Sequence, residues 1–325
     1  MTKKIGLLLV NLGSPAAPSP KAVRKYLSQF LSDRRVIALH PLLWRPILHG
    51  IILRTRPKRS AAAYAKIWGT SGSEAPLIKI TREQAAGVQA TLGETVAVEI
   101  GMRYGKPSIE DGIAALEARG ATHIRVFPLY PQYAEATTQS VYDMVERAKK
   151  KRGGRLNIKT LRDYHDHPRY IKAITASLRA HIATLDYVPD RIIASFHGLP
   201  QEVVDKGDPY ADECTRSAQL MREDMGMDSD EFTLTFQSRF GPKAWLEPYT
   251  DTVLAQMAQS GLTKTVVITP GFSADCLETL EEIAIESAKA FKAAGGTHFS
   301  VAPCLNDSAQ HIEMIVNITK SELFD

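Results

Sequence analysis

Short apolar and β-branched runs recur at residues 5–10, 96–100, 124–127, 192–196, 232–236 and 266–269, each followed by a turn or a stretch with apolar residues at helical spacing. Such runs suit buried strands, and their alternation with helical segments predicts an α/β chain with parallel sheets. Residues 109–119 and 253–260 carry the helical period and stop before Gly120 and Gly261, which suit helix C-caps. They read as crossover helices. Near the middle, R-A-K-K-K-R-G-G at residues 147–154 is charged and then glycine-rich, which marks a domain boundary. The expected organisation is one domain at residues 1–152, a second at 153–305, and a last helix at 306–325 that packs back on the first.

The length of 325 residues agrees with two cores. With 44% hydrophobic and 23% charged residues the composition is that of a globular protein, not a disordered one. The net charge of +4 is spread among 36 acidic residues, so nothing calls for a nucleic-acid partner. The three cysteines, Cys214, Cys276 and Cys304, form no Cys-x-x-Cys pair, which argues against a disulfide framework or zinc knuckle and suits a reducing cytoplasm. The first apolar run ends at Asn11, too short for a signal-peptide core. Residues 36–53 form the longest apolar stretch, but His40, Pro41, Arg45, Pro46 and His49 interrupt it, and no transmembrane segment is expected. No G-x-G-x-x-G or Walker-type loop follows any predicted strand, which removes the usual nucleotide readings of such a fold.

In open α/β sheets ligands bind beyond the carboxyl ends of the strands, so the residues just after each strand matter most. The strand at 192–196 runs into His197-Gly198-Leu199-Pro200, an imidazole beside a glycine that permits close approach. A lone histidine is more often structural than catalytic; its position at a strand end favours catalysis. After the strand at 266–269 come Asp275, Glu278, Glu282 and Glu286 at spacings of three, four and four, which share one face of a helix. Like charges at that spacing repel, and a cation would relieve them. A solvated surface helix with carboxylates at its N-terminus is the other reading, although the helix dipole reaches Glu282 and Glu286 poorly. Loosely arranged oxygen ligands suit a cation in transit better than a tightly held zinc.

Three stretches could hold a flat, mostly apolar ligand: residues 102–107 with Arg103 and Tyr104, 130–133 with Tyr130, and 237–248 with Trp245. Aromatic rings stack on such a ligand and an arginine grips its carboxylates. Scattered core aromatics are the alternative. His165 and His167, in Y-H-D-H-P, have metal-like spacing but no strand-end context, and read as loop residues.

The motifs L-V-N-L-G-S-P (9–15), M-R-Y-G-K-P (102–107), F-P-L-Y-P-Q-Y (127–133), S-F-H-G-L-P (195–200), G-D-P-Y (207–210), F-Q-S-R-F-G-P-K-A-W-L-E-P (236–248) and D-C-L-E-T-L-E-E-I (275–283) together resemble the ferrochelatases. The resemblance implies two Rossmann-like, chelatase-type domains with parallel sheets and a porphyrin cleft between them. It places the family's proton-accepting histidine on His197 and its essential glutamate on Glu278, with Glu282 and Glu286 as carboxylates that lead away from the metal site. It also implies that Leu12, Phe30, Arg103, Tyr104, Tyr130 and Trp245 line the porphyrin site. Ferrous iron and protoporphyrin IX are then the substrates, and no prosthetic group is expected. Many members carry a histidine where this chain has Cys276, and the cysteine-rich tail that ligates an iron–sulfur cluster in some members has no counterpart here.

Residues 36–53 mix Leu42, Leu43, Trp44, Ile47, Leu48 and Ile51 with arginines, which suits a lip in peripheral contact with the inner face of a membrane; a core helix is the alternative. The competing functions are a chelatase for coproporphyrin III or for cobalt, and a non-enzymatic two-domain binding protein for a tetrapyrrole or another solute. Cobalt and nickel chelatases tend to bear histidine pairs at the metal, whereas this chain offers one histidine with carboxylates.

Overall fold

The computed structural model describes residues 4–69 and 74–324; Met1–Lys3 of the N-terminal run and Asp325 of the predicted last helix lie outside the described residues. The chain forms two compact units, the first from Met1–Leu129, Ala134–Asp163 and Asp307–Asp325, the second from Tyr130–Tyr133 and Tyr164–Asn306. The first unit holds the strands β1 (Ile5–Asn11), β2 (Val96–Met102), β3 (His123–Pro128) and β4 (Asn157–Thr160) in the order β2-β1-β3-β4, all parallel. The second holds β5 (Arg191–His197), β6 (Phe232–Gln237), β7 (Lys264–Ile268) and β8 (His298–Val301) in the order β6-β5-β7-β8, again all parallel. Helices flank both sheets, so the central strands are buried on both faces, and Leu7, Leu8, Leu9 and Val10 of β1 are wholly buried. Each such side chain contributes about 1.5–3 kcal/mol through burial.

Two expectations need correction. The first unit runs to Asp163, past the charged segment at 147–154, because β4 pairs with β3 through residues 157–160. Residues 147–151 instead complete the helix Ser140–Lys151. Tyr130–Tyr133, expected in the first domain, belongs to the second unit: Gln132 Nε2 donates to Ser217 Oγ at 2.9 Å and Tyr133 N to Glu213 Oε2 at 2.6 Å. The helix Ala309–Glu322 packs on the helix Pro76–Leu92 of the first unit.

In the second unit a cluster of Ile193, Leu254, Met257, Val267, Ile283 and Phe291 binds the sheet to the segment that follows β7. That segment, Glu278–Ser287, is a π-helix that continues into the α-helix Ala288–Ala293. Buried Ile283 fixes which side of the π-helix turns to the core, and so which side is left to the carboxylates.

Candidate active site

The strand order of the second sheet reverses at β5, which has β6 on one side and β7 on the other, and such a switch point opens a crevice beyond the strand ends. His197 is the last residue of β5. Its Nδ1 lies 2.7 Å from Gly198 O. A carbonyl can only accept, so Nδ1 carries the proton of the neutral ring and Nε2 keeps the lone pair. Gly198 N donates to Gln237 O at 2.8 Å, and a Cβ at Gly198 would stand 2.9 Å from that oxygen. Only glycine lets the ends of β5 and β6 approach this closely.

His197, Ser238, Leu277, Glu278, Glu281 and Glu282 line one cavity of about 230 Å³. The structure thus brings His197, Glu278 and Glu282 together. Glu286 is a correction: it is exposed, its Oε1 lies 3.4 Å from Lys289 Nζ, and it does not line the cavity. The ladder was drawn on an α-helix, whereas the segment is a π-helix, and along it Glu281 lines the cavity while Glu286 does not. Glu281 takes the vacant place; its spacing of three from Glu278 was the signal that could have found it. Asp275 points elsewhere, accepting from Asn306 Nδ2 at 2.7 Å and Thr279 Oγ1 at 2.9 Å, and so pins the start of the helix.

Burial raises the Glu282 carboxyl above the usual carboxylate range, against the opposing pull of the Ser238 hydroxyl and of His197. Burial also pushes the Cys276 thiol well up, reinforced by the neighbouring Glu278, so Cys276 stays a neutral thiol.

In the first unit Leu12 follows β1 and Arg103 follows β2, joined by Arg103 N to Asn11 O at 2.8 Å and Tyr104 N to Leu12 O at 2.8 Å. Gly13 has φ +99°, and a Cβ there would stand 1.8 Å from Tyr104 O. Tyr104 is 0% exposed; its hydroxyl donates to Asp33 Oδ2 at 2.9 Å, and Arg103 Nη2 pairs with the same oxygen. Phe30 meets the Tyr104 ring edge-on at 5.1 Å. Tyr104 therefore props the patch, while half-buried Leu12 and Phe30 form its accessible part. Tyr130 and Trp245 belong to the second unit and are both buried. Trp245 Nε1 donates to Phe240 O at 3.0 Å and its ring lies 4.9 Å from Phe240, whose 44% exposure makes it the open aromatic that the sequence reading missed. His167 Nδ1 accepts from Arg169 N as the N-cap of the helix Pro168–Ile182, and His165 Nδ1 stands 3.5 Å from Glu213 Oε2.

The family model described as Ferrochelatase matches residues 4–323. A protein named Ferrochelatase from Bradyrhizobium sp. strain BTAi1 is 46% identical over 324 residues, covering 99% of this chain and 92% of that protein. Another of that name, from Rhizobium meliloti strain 1021, is 47% identical over 322 residues, covering 98% and 95%. Among solved structures, SirB from Bacillus subtilis with Fe³⁺ superposes with a TM-score of 0.57 at 15% identity, covering 98% of this chain and 94% of SirB. The sirohydrochlorin chelatase SirB from Bacillus subtilis subspecies spizizenii in complex with cobalt gives 0.54 at 16%, covering 97% and 93%. At that identity these likenesses speak for the fold alone.

Proposed function

The chain belongs to the ferrochelatase family, metal chelatases classed as lyases that insert ferrous iron into a porphyrin in haem synthesis, and from that premise we propose how its residues divide the work. The reaction exchanges two pyrrole protons for one Fe²⁺. His197 Nε2 accepts a pyrrole proton, since Nδ1 is spent on Gly198 O. Glu278 takes the next position, passing protons away or guiding iron inward, with Glu281 and Glu282 beside it. The raised proton affinity of buried Glu282 suits a group that receives a proton and hands it on. One observation carries this reading: His197 and Glu278 wall a single cavity. Metallation of a porphyrin by purified protein under anaerobic Fe²⁺, followed by absorbance, tests it; no turnover, or full turnover in both His197→Ala and Glu278→Gln, overturns it.

A flat porphyrin hides its nitrogen lone pairs in the ring plane, so binding energy has to bend it toward the shape that admits a metal. Leu12, Phe30, Arg103, Tyr130 and Trp245 are the proposed porphyrin contacts, and Tyr104, wholly buried, supports Phe30 and Arg103 from behind. We favour protoporphyrin IX over coproporphyrin III because the second substrate brings four propionates and Arg103 is already paired with Asp33. Comparing turnover of the two porphyrins decides that point.

Peripheral membrane contact is also proposed, for a protein of the cytoplasm. Leu42, Leu43 and Ile51 are 76%, 68% and 58% exposed, on a segment whose Leu48 and Leu53 are buried against Leu31. Leu43, Ile47 and Ile51 recur every four residues beside exposed Arg45 and Arg54, a pairing that suits an anionic lipid surface. Among the described residues no helix is long and apolar enough to cross a membrane.

A further inference from the structure

We propose that Ser238 is a positioning residue that restrains Glu282 from closing on the metal, so that the cavity passes iron through instead of keeping it. The inference rests on the reading of this cavity as the iron site. Ser238 has φ +67°, a left-handed conformation that a residue with a Cβ adopts only at a cost. That conformation aims two donors at one carboxylate: Ser238 N donates to Glu282 Oε1 at 2.7 Å and Ser238 Oγ to Oε2 at 2.6 Å. Both oxygens are thereby engaged.

The clamp is anchored from behind. Gln237 Nε2 donates to Glu278 O at 3.2 Å and reaches Glu282 Oε2 at 3.5 Å, while Gln237 Oε1 accepts from Ser195 Oγ at 2.8 Å. Ser195 and Thr235 each lie 2.8 Å from Thr250 Oγ1, so a buried chain of hydroxyls ties β5, β6 and the helix Thr250–Gln259 to the residue before the clamp. Side-chain orientation enforced through three elements is not incidental to the fold.

Its consequence follows from coordination chemistry. An imidazole with several carboxylates around one small cavity offers a donor set that can close on a divalent cation and hold it firmly. A substrate metal has to leave for the porphyrin. With both Glu282 oxygens bonded to Ser238, that carboxylate is withheld from the cation, and His197, Glu278 and Glu281 remain as the softer grip.

The test uses the full chain without porphyrin, with Co²⁺ as the probe. Ser238→Ala and Ser238→Gly both remove the hydroxyl, and glycine also relaxes the backbone, so agreement between them separates the clamp from folding damage. Both variants should bind Co²⁺ about tenfold more tightly, with stronger visible d–d absorption. Turnover with Fe²⁺ should fall about tenfold together with the KM for iron, at an unchanged KM for porphyrin. Adding Glu282→Gln to Ser238→Gly should cancel the gain in Co²⁺ affinity. Unchanged or weaker Co²⁺ binding in Ser238→Gly overturns the clamp. Glu282→Gln alone should leave Co²⁺ affinity within about twofold of wild type, because the clamp already withholds that carboxylate, and a tenfold loss would place Glu282 on the cation and overturn the clamp; absence of Co²⁺ binding in the wild type and in every variant would instead overturn the reading of this cavity as the iron site.

Discussion

The two units share one strand order and each places a glycine just after the first strand of its sheet, yet what surrounds those glycines differs. Gly13 after β1 abuts Tyr104 O beyond β2, and Gly198 after β5 abuts Gln237 O beyond β6. Around Gly13 the neighbours are Leu12, Phe30 and an Arg103–Asp33 pair locked to a buried tyrosine. Around Gly198 they are an imidazole with a fixed tautomer and three carboxylates at one cavity. On the proposed reading, the same topology serves two ends, contact with a ring in the first unit and movement of protons and a cation in the second. Fold supplies the place and the residues after the strands supply the chemistry.

The largest test of that contrast pairs His197→Ala with Phe30→Ala. Loss of the imidazole should lower kcat by about 10² or more with porphyrin binding kept, since general bases contribute about 10²–10⁴. Loss of the phenyl ring should leave kcat within about threefold and raise the KM for porphyrin about tenfold, the equivalent of about 1.4 kcal/mol. Steady-state kinetics in both substrates reads the two effects, and equal kcat losses would erase the distinction between the crevices. Glu278→Gln should match His197→Ala in direction.

The glycines sharpen the comparison next. Gly13→Ala drives a methyl into Tyr104 O at positive φ and should cost about 3 kcal/mol or more, seen as a lower denaturant midpoint. Gly198→Ala meets Gln237 O at 2.9 Å, a milder clash, so it should destabilise less yet cost turnover by displacing the end of β5 that carries His197. Smaller still is the contrast along the π-helix. Glu281→Gln should raise the KM for iron about tenfold, whereas Glu286→Gln, already paired with Lys289 outside the cavity, should change it less than twofold. The smallest effect on turnover belongs to the lip: Leu43→Ser with Ile47→Ser should weaken sedimentation with anionic liposomes severalfold while kinetics in detergent stay unchanged. Retained liposome binding would remove the lip from the account.

Much of this was readable from residue order. The six strands of the sequence reading are runs of five to seven residues rich in apolar and β-branched side chains, most fully so in central β1, because a parallel strand covered on both faces favours such residues throughout. β4 and β8 escaped it: N-I-K-T and H-F-S-V are edge strands of four residues, partly exposed, with no such requirement. His197 and Glu278 were legible because strand ends and carboxylate spacing are local features. Ser238 was not, since a left-handed serine is indistinguishable in sequence from any other, and its meaning depends on Glu282, 44 residues away.

By itself, then, the order of residues determined the α/β class and the family and put the candidate residues at strand ends, all of which follow from period, polarity and short motifs. Tertiary structure alone decided which carboxylates share the cavity. Along Glu278–Ser287, with Ile283 buried among the core residues of the second unit, Glu281 lines the cavity and Glu286 does not, an outcome that depends on how this segment packs. It likewise decided that Tyr130–Tyr133 joins the second unit, because hydrogen bonds to Ser217 and Glu213, more than 70 residues distant, outweigh its place in the chain directly after β3.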